Sequence, residues 1–308
     1  MDLKNKSIIS IKKMRREEID YIIGVAEKLY SSWQDYQESL KNRILGTLFF
    51  EPSTRTRISF ETAMKRLGGS VVGFSAPEGS SLAKGENLAD TVRVMENYCD
   101  AILIRHPLEG AAKLTSELVS IPVINAGTGA EEHPTQALLD LYTIYREKHK
   151  IDGLNIALFG DLKYGRTVHS LTYALCNYKV KLSLVSPPSM MLREEIIEDL
   201  DKREIEFIET ANLDDVIKDL DVLYVTRIQR ERFPDPAEYE KVKGSFRIDL
   251  NSLSKARQDL IVMHPLPRLD EISPDIDNTR HATYFKQVKY GIIIRMALLA
   301  LIFGVDLK

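Results

Sequence analysis

The stretch FFEPSTRTRISFE, residues 49–61, predicts an apolar strand that passes through a polar turn into a helix. Apolar residues recur from Phe60 onward at the i, i+3, i+4 and i+7 spacing of one helix face, and Ser53 suits the N-cap. The first turn carries Arg55 and Arg57, although the positive end of the helix dipole favours acidic residues there. The sequence therefore raises the question of which anion these cations hold.

Short apolar strands alternate with helical patterns before and after this stretch. Such alternation predicts an α/β fold of two similar domains, each a parallel β-sheet flanked by helices. We expect a first domain over residues 1–133, on which a C-terminal helix at 288–308 packs back, and a second domain over residues 134–287. Within the second domain, the segment LDDVIKD at 213–219 is predicted to be helical.

The composition indicates a soluble globular protein and limits its partners. The 308 residues are 44% apolar and 28% charged, which is unlike a disordered chain. A net charge of −3 gives no general attraction to nucleic acid or to an anionic membrane, and no apolar run is long enough to span one. Two cysteines and an N-terminus without a signal-peptide pattern favour a cytoplasmic protein. The six histidines lack zinc-site spacing, so we expect neither a metal nor a cofactor.

Six polar motifs follow predicted strands, where ligands bind in open parallel sheets. The motifs are FFEPSTR, IRHP, INAG with EEHPTQ, FGDLKYGR, VTRIQ and MHPLPR. Five of the six carry arginine, which turn chemistry alone does not explain. A helix N-terminus with hydroxyls and a guanidinium group is what a phosphate dianion requires, and a second arginine at a neighbouring strand end could neutralise the same phosphate. The alternative is a capped helix with solvated arginines.

The other motifs suggest contacts to a carbonyl, an amide and a dicarboxylate. His133 before Pro134 suits a helix start, where a neutral imidazole can donate to a carbonyl oxygen that gains negative charge. Two arginines of the second domain would each suit one carboxylate of a dicarboxylate. The alternatives are a capping histidine, a rigid proline turn and solvated loop arginines.

Taken in chain order, these motifs resemble the catalytic chains of the aspartate carbamoyltransferase family over nearly the whole sequence. The motifs that carry the resemblance are FFEPSTRTRISFE, SSLAKGE, IRHPLEGAA, HPTQALLDLYTI, GDLKYGRTVHSL, VTRIQRERF and HPLPR. Ornithine carbamoyltransferases share STRTR and HPTQ-like motifs but typically have a cysteine-containing HCLP in place of HPLPR, and an SMG-type motif that this chain lacks. The resemblance therefore implies the aspartate/ornithine carbamoyltransferase fold and transfer of the carbamoyl group from carbamoyl phosphate to the amine of L-aspartate. The products would be N-carbamoyl-L-aspartate and phosphate, an early step of pyrimidine synthesis.

The resemblance also implies a role for each matching residue. Phosphate would be held by Ser53, Thr54, Arg55, Thr56 and Arg105. The carbonyl oxygen would be surrounded by Thr56, Arg105 and His133, and the carbamoyl amide by Gln136 and the carbonyls of Leu266 and Pro267. Aspartate would be bound by Lys84, Arg166, Arg227 and Gln229. Domain closure would join Glu51 to Arg166 and Arg232.

In the family, the loop that carries Lys84 reaches into the neighbouring subunit, so a homotrimer with shared sites is expected. The serine that accompanies the lysine is Ser80 or Ser81. A separate regulatory chain is possible and is not decided by the sequence. Three other functions stay open: a carbamoyltransferase for ornithine or another amine, a nicotinamide-dependent oxidoreductase, and a non-catalytic anion-binding module. The absence of a G-x-G-x-x-G fingerprint counts against the oxidoreductase.

Overall fold

A computed structural model describes residues 2–75, 84–129, 132–228 and 246–307. They form two compact units, one of residues 1–139 together with 289–308 and one of residues 140–288. Each unit contains one parallel sheet with helices around it, so the predicted α/β architecture is confirmed.

The first unit is built on a four-stranded parallel sheet in the order β2-β1-β3-β4. Its strands are β1 Ile44–Phe49, β2 Ser70–Phe74, β3 Ala101–His106 and β4 Val123–Thr128. The helices that begin in this part of the chain are α1 Arg16–Ser32, α2 Thr54–Arg66, α3 Leu88–Glu96, α4 Ala111–Leu118 and α5 Pro134–Lys148. The central strands β1 and β3 are buried along most of their length, as expected where helices cover both faces of such a sheet.

Helix α2 forms where the periodicity of the sequence placed it. Phe60, Ala63 and Met64 are fully buried, which accounts for the apolar stripe of this helix. On the same helix, Ser59 accepts a hydrogen bond at 2.9 Å from the buried Arg295 guanidinium group, which also lies 5.2 Å from the Phe60 ring. Residues 289–308 are thus tied to α2 by a polar contact as well as by packing.

The second unit is built on a five-stranded parallel sheet in the order β7-β6-β5-β8-β9. Its strands are β5 Asn155–Phe159, β6 Lys181–Val185, β7 Glu206–Thr210, β8 Val222–Val225 and β9 Ile261–Met263. The further helices are α6 Arg166–Leu175, α7 Glu194–Lys202 and α8 Tyr284–Ile302. The three central strands, β6, β5 and β8, are buried along most of their length, as expected for a covered parallel sheet.

Two predicted helices differ from the observed ones. Residues 213–219 form two short 3₁₀ turns, Leu213–Asp215 and Ile217–Asp219, instead of an α-helix. The Asn212 side chain accepts from the Asp214 amide at 3.2 Å, and such local bonds compete with a regular helix. Helix α8 begins at Tyr284 rather than at residue 288, since the Gln287 amide already donates to the Thr283 carbonyl at 2.9 Å.

The described residues contain neither a membrane-spanning helix nor a cluster of metal-binding side chains. None of their helices combines the length and apolar character required to span a bilayer. Within the same residues, His, Cys, Asp and Glu side chains form no group of three or more that could hold a metal ion.

Candidate functional site

In the first unit, three predicted site segments follow three adjacent strands. Residues 53–56 come after β1, Arg105 lies at the end of β3, and His133 follows β4. The register places Phe49 beside Arg105, and the Phe50 amide donates to the Arg105 carbonyl at 2.9 Å. The carboxyl ends of parallel strands share one edge of a sheet, so the fold brings these segments to a common edge.

The two arginines in the first turn of α2 differ in their partners. Arg57 forms an ion pair at 3.0 Å with Glu61, one turn further along the helix. Arg55 has no carboxylate within ion-pair distance among the described residues, and burial of part of its guanidinium group lowers the pKa of Arg55 below its ordinary value. Ser53 occupies the N-cap, but its side chain makes no capping hydrogen bond there. The charge of Arg55 therefore requires the anion that the sequence suggested, whereas the charge of Arg57 is balanced by Glu61 of the same helix.

Buried hydroxyl and imidazole groups lie together beside this turn. Thr56 is 7% exposed and its Oγ1 lies 3.5 Å from Nε2 of His133, which is 4% exposed. His133 also starts α5, because its carbonyl accepts from the Gln136 amide at 2.9 Å. The ring therefore lies at the positive end of a helix, where the dipole disfavours the imidazolium form.

Arg105 is paired with a carboxylate of the turn that precedes α2. Its Nε lies 2.7 Å from Oε1 of Glu51, and its Nη1 donates to the Ala126 carbonyl at 3.3 Å. The resemblance assigned Glu51 to Arg166 and Arg232 instead. The observed pair adds a contact that the sequence did not predict, and the role of Glu51 in closure stays a prediction because Arg232 lies outside the described residues.

Glu132 is a residue of this region that the sequence analysis missed. It is buried, and its two carboxylate oxygens accept hydrogen bonds from the Ser10 hydroxyl at 2.7 Å and the Ile11 amide at 2.6 Å. This contact ties the beginning of the chain to the residue directly before His133. Ser10 and Ile11 lie 122 and 121 positions before Glu132 in the sequence, so no local pattern could have indicated this contact.

Lys84 lies apart from these contacts in its own chain. It is exposed and makes no hydrogen bond or ion pair with another described residue, and its role in a neighbouring subunit stays a prediction. The two candidate serines, Ser80 and Ser81, lie outside the described residues, so the choice between them stays a prediction.

In the second unit, three predicted segments also follow three adjacent strands. Arg166 is the first residue of α6 in the segment after β5, Arg227 follows β8, and Leu266 follows β9. The turn before α6 is shaped by Asp161, whose Oδ1 accepts from the Lys163 amide at 3.1 Å and from the next amide at 2.9 Å. Gln229 lies outside the described residues, and its role stays a prediction.

The turn after β9 presents backbone acceptors. Leu266 has a φ of 57°, in the left-handed region that non-glycine residues rarely adopt, and a cis peptide bond joins it to Pro267. Within the described residues, neither the Leu266 nor the Pro267 carbonyl accepts a hydrogen bond. Two unused acceptors side by side are suited to an –NH₂ group of a ligand.

Comparison with known proteins gives the same family over both units. Residues 6–146 match the domain described as "Aspartate/ornithine carbamoyltransferase, carbamoyl-P binding domain", and residues 152–302 match the "Asp/Orn binding domain" of the same family. The aspartate carbamoyltransferase catalytic subunit of Thermococcus kodakarensis is 55% identical over 307 residues, which cover 99% of each chain.

Two solved structures extend the likeness to three dimensions. The catalytic subunit of M. jannaschii aspartate transcarbamoylase is 53% identical, with a TM-score of 0.91 over 98% of this chain and 100% of that one. Aspartate transcarbamoylase from Trypanosoma cruzi, in complex with N-(phosphonacetyl)-L-aspartic acid, is 42% identical, with a TM-score of 0.92 over 97% and 96% of the two chains.

Proposed function

The chain belongs to the aspartate/ornithine carbamoyltransferase family and, within it, to the aspartate carbamoyltransferases, and from this premise we propose its reaction. It transfers the carbamoyl group of carbamoyl phosphate to the amine of L-aspartate, which gives N-carbamoyl-L-aspartate and phosphate for pyrimidine synthesis in the cytoplasm. The observation that carries the proposal is Arg55, a cation without a carboxylate partner in the described chain at the N-terminus of α2. A relative of this family binds a ligand that joins a phosphonate to L-aspartate.

The phosphate is bound by the α2 N-terminus, by the side chains of Ser53, Thr54, Arg55 and Thr56, and by Arg105. Backbone N–H groups and guanidinium groups there complement the dianion. Nε of Arg105 lies 2.7 Å from a carboxylate oxygen of Glu51, so phosphate takes the place of a carboxylate that already neutralises this arginine. The incoming anion thus meets one arginine without a carboxylate and one that must exchange its partner.

The carbonyl oxygen is stabilised by Thr56, Arg105 and His133. His133 is buried at a helix N-terminus, and its imidazole donates a hydrogen bond to this oxygen as the oxygen becomes negative. Gln136 and the carbonyls of Leu266 and Pro267 bind the carbamoyl amide. The acceptor oxygens of these groups receive hydrogen bonds from the –NH₂ group of the substrate, which a methyl group in the same position cannot donate.

Aspartate is bound by Arg166, Arg227 and Gln229, with Lys84 supplied by a neighbouring subunit. Each guanidinium group can hold one carboxylate bidentately. The amine of aspartate then attacks the carbamoyl carbon directly, a C–N bond forms, and the C–O bond to phosphate breaks. The amine loses a proton, which the departing phosphate accepts, so no covalent enzyme intermediate is formed. The protein contributes orientation and stabilisation of charge.

A substrate panel tests the proposed reaction. With carbamoyl phosphate, turnover of L-aspartate is expected to exceed that of L-ornithine by about a thousand-fold or more, because a site built for two carboxylates rejects an amine-bearing side chain. Product formation is followed by release of phosphate and by detection of the carbamoylated amino acid. Turnover of ornithine without turnover of aspartate would exclude the proposed substrate.

We further propose that the chain forms a homotrimer in which Lys84 acts in trans. A hybrid experiment tests this by co-expressing Arg55→Ala and Lys84→Ala chains with different affinity tags. With equal and random mixing, about three quarters of the trimers contain both variants. Each of these mixed trimers has one subunit interface at which an intact Arg55 of one chain meets an intact Lys84 of the next chain. The mixture should therefore recover about a quarter of the parent activity, although each variant alone is nearly inactive.

The control mixture combines Arg55→Ala with Arg105→Ala, both altered in the same phosphate site. No arrangement of these chains restores a complete site by sharing Lys84, so no recovery is expected. Equal activity in the two mixtures, or none in the first, would contradict shared sites. Sedimentation analysis of the parent chain gives the oligomeric state independently.

A further inference from the structure

A buried imidazole lies under the turn that presents the Leu266 and Pro267 carbonyls. His264 directly follows β9 and is 2% exposed. Its backbone amide donates to Oε1 of Gln287 at 3.0 Å, and its Nδ1 accepts from the Leu266 amide at 2.8 Å. Pro265 and Pro267 have no N–H, so the Leu266 amide is the one backbone donor of these three residues, and His264 uses it.

The bond at Nδ1 fixes the tautomer of His264. A nitrogen that accepts a hydrogen bond carries no proton, so the proton of the neutral ring lies on Nε2. Nε2 donates to Oε1 of Glu271 at 2.7 Å. The ring is thus held at both nitrogens, and a rotation that released Glu271 would also remove the acceptor from Leu266.

Glu271 is itself held in place. It is 4% exposed, and its second oxygen, Oε2, accepts from the Leu269 amide at 3.1 Å. Burial tends to raise the pKa of the Glu271 carboxyl, but hydrogen bonds from His264 and from backbone amides leave the pKa below its ordinary value. Glu271 is therefore an acceptor at both oxygens.

The network continues away from the turn through Gln287. Its Nε2 donates to Oδ1 of the buried Asp140 at 2.6 Å, and the Tyr224 hydroxyl donates to the other oxygen of Asp140 at 2.8 Å. Buried polar groups are costly unless each is satisfied, and satisfied networks fix one conformation. The network therefore holds His264 from both its backbone and its side chain.

A second His–Pro–Leu sequence in the same chain separates turn formation from this support. After β3, the Leu108 amide donates to Nδ1 of His106 at 3.0 Å, which is the same bond. Among the described residues no carboxylate accepts from the His106 ring, and Leu108 is exposed. The hydrogen bond to Nδ1 thus suffices to form such a turn. The buried carboxylate of Glu271 has a further role, which is to hold the His264 ring in one orientation.

We propose that His264 and Glu271 are positioning residues that hold the Leu266 carbonyl where it accepts the carbamoyl –NH₂ group. The proposal rests on the proposed function, since it assigns the turn to that substrate. The left-handed φ of Leu266 aims its carbonyl in a direction that this residue type seldom adopts unaided. The imidazole supplies the bond that keeps it there, and Glu271 keeps the imidazole in the required tautomer.

The test compares His264→Leu with His264→Asn, using carbamoyl phosphate and acetyl phosphate. Acetyl phosphate has a methyl group in place of –NH₂ and cannot donate to Leu266. In His264→Leu, the KM for carbamoyl phosphate should rise about ten-fold, whereas the Ki of acetyl phosphate as a competitor stays within about two-fold. In His264→Asn, the side-chain oxygen can still accept from the amide two residues on, so both constants should stay within about three-fold of the parent values.

Glu271→Gln supplies a second test if His264→Leu does not fold. Glutamine has one oxygen for the two donors, so the KM for carbamoyl phosphate should rise several-fold with the Ki of acetyl phosphate unchanged. The matched control is His281→Asn in the same unit, where Nδ1 bonds to the Leu260 carbonyl at 2.8 Å, and neither constant should change.

The outcomes distinguish the two proposals. Equal weakening of both ligands in His264→Leu would mean a general structural defect and would overturn the positioning role alone. An unchanged KM for carbamoyl phosphate in His264→Leu would do the same. No turnover of carbamoyl phosphate and aspartate by the parent chain would refute the proposed function, and the positioning role with it.

Discussion

Replacement of Arg55 by alanine is expected to lower kcat/KM by about a hundred-fold or more, which corresponds to about 3 kcal/mol of lost transition-state stabilisation. Phosphate gains charge as it leaves, so a guanidinium group directed at it contributes more in the transition state than in the bound substrate. The fold should survive, because Arg55 has no ion-pair partner in the described chain to leave unsatisfied. Steady-state kinetics and urea unfolding of the same preparation measure the two effects.

Arg57→Ala is the matched control, since it removes the same side chain two positions along the same helix. Its guanidinium group is already paired with Glu61 at 3.0 Å, and a partly exposed pair of this spacing contributes about 0.5 kcal/mol or less to stability. Turnover should stay near that of the parent chain. If the two variants lost activity equally, or Arg55→Ala lost none, the phosphate role of Arg55 would be wrong.

Replacement of Arg105 by alanine is expected to weaken binding of inorganic phosphate by about a hundred-fold or more, for two reasons. It removes a cation from the proposed phosphate site, and it removes the positive charge that lies 2.7 Å from the Glu51 carboxylate, so this negative charge faces the incoming dianion without the neutralisation that Arg105 gives. At short range near a protein surface, like charges repel by several kcal/mol. Titration calorimetry with inorganic phosphate measures the loss without involving aspartate.

The double variant Arg105→Ala with Glu51→Ala separates these two contributions. Removal of the carboxylate should recover about ten-fold of the lost affinity, and Glu51→Ala alone should bind phosphate more tightly than the parent chain. Phosphate binding is the appropriate measurement because turnover also depends on the closure role proposed for Glu51. Weaker phosphate binding by Glu51→Ala would show that this carboxylate does not compete for Arg105.

Much of the fold could be predicted because its signals are local. A strand that is buried on both faces is apolar throughout, and a helix that buries one face repeats its apolar residues, so neither pattern needs a partner to be recognised. The prediction at residues 213–219 was wrong because Asn212 bonds to a nearby amide, and composition alone gives such a contact little weight. The early start of α8 depends on one backbone bond to Thr283.

The site was less accessible from sequence where its contacts join distant positions. The pairs Glu51 with Arg105 and Glu132 with Ser10 could be found only once the sheet had brought the strand ends together. His264 and Glu271 are seven positions apart, yet that spacing in a loop has no meaning without the turn. By contrast, Glu61 can be recognised from the sequence as a partner of Arg57, because the two residues have the i, i+4 spacing of a helix.

The contact between Arg295 and Ser59 has a consequence for the order in which the protein is made. Residues 289–308 follow the whole of the second unit in the chain, so the ribosome must translate that unit before α2 can receive its last packing partner. Domains commonly fold from the N-terminus onward during synthesis. Here the half that is translated first is completed last, because α2, which carries the proposed phosphate-binding residues, makes its contact with Arg295 only after the second unit has been translated.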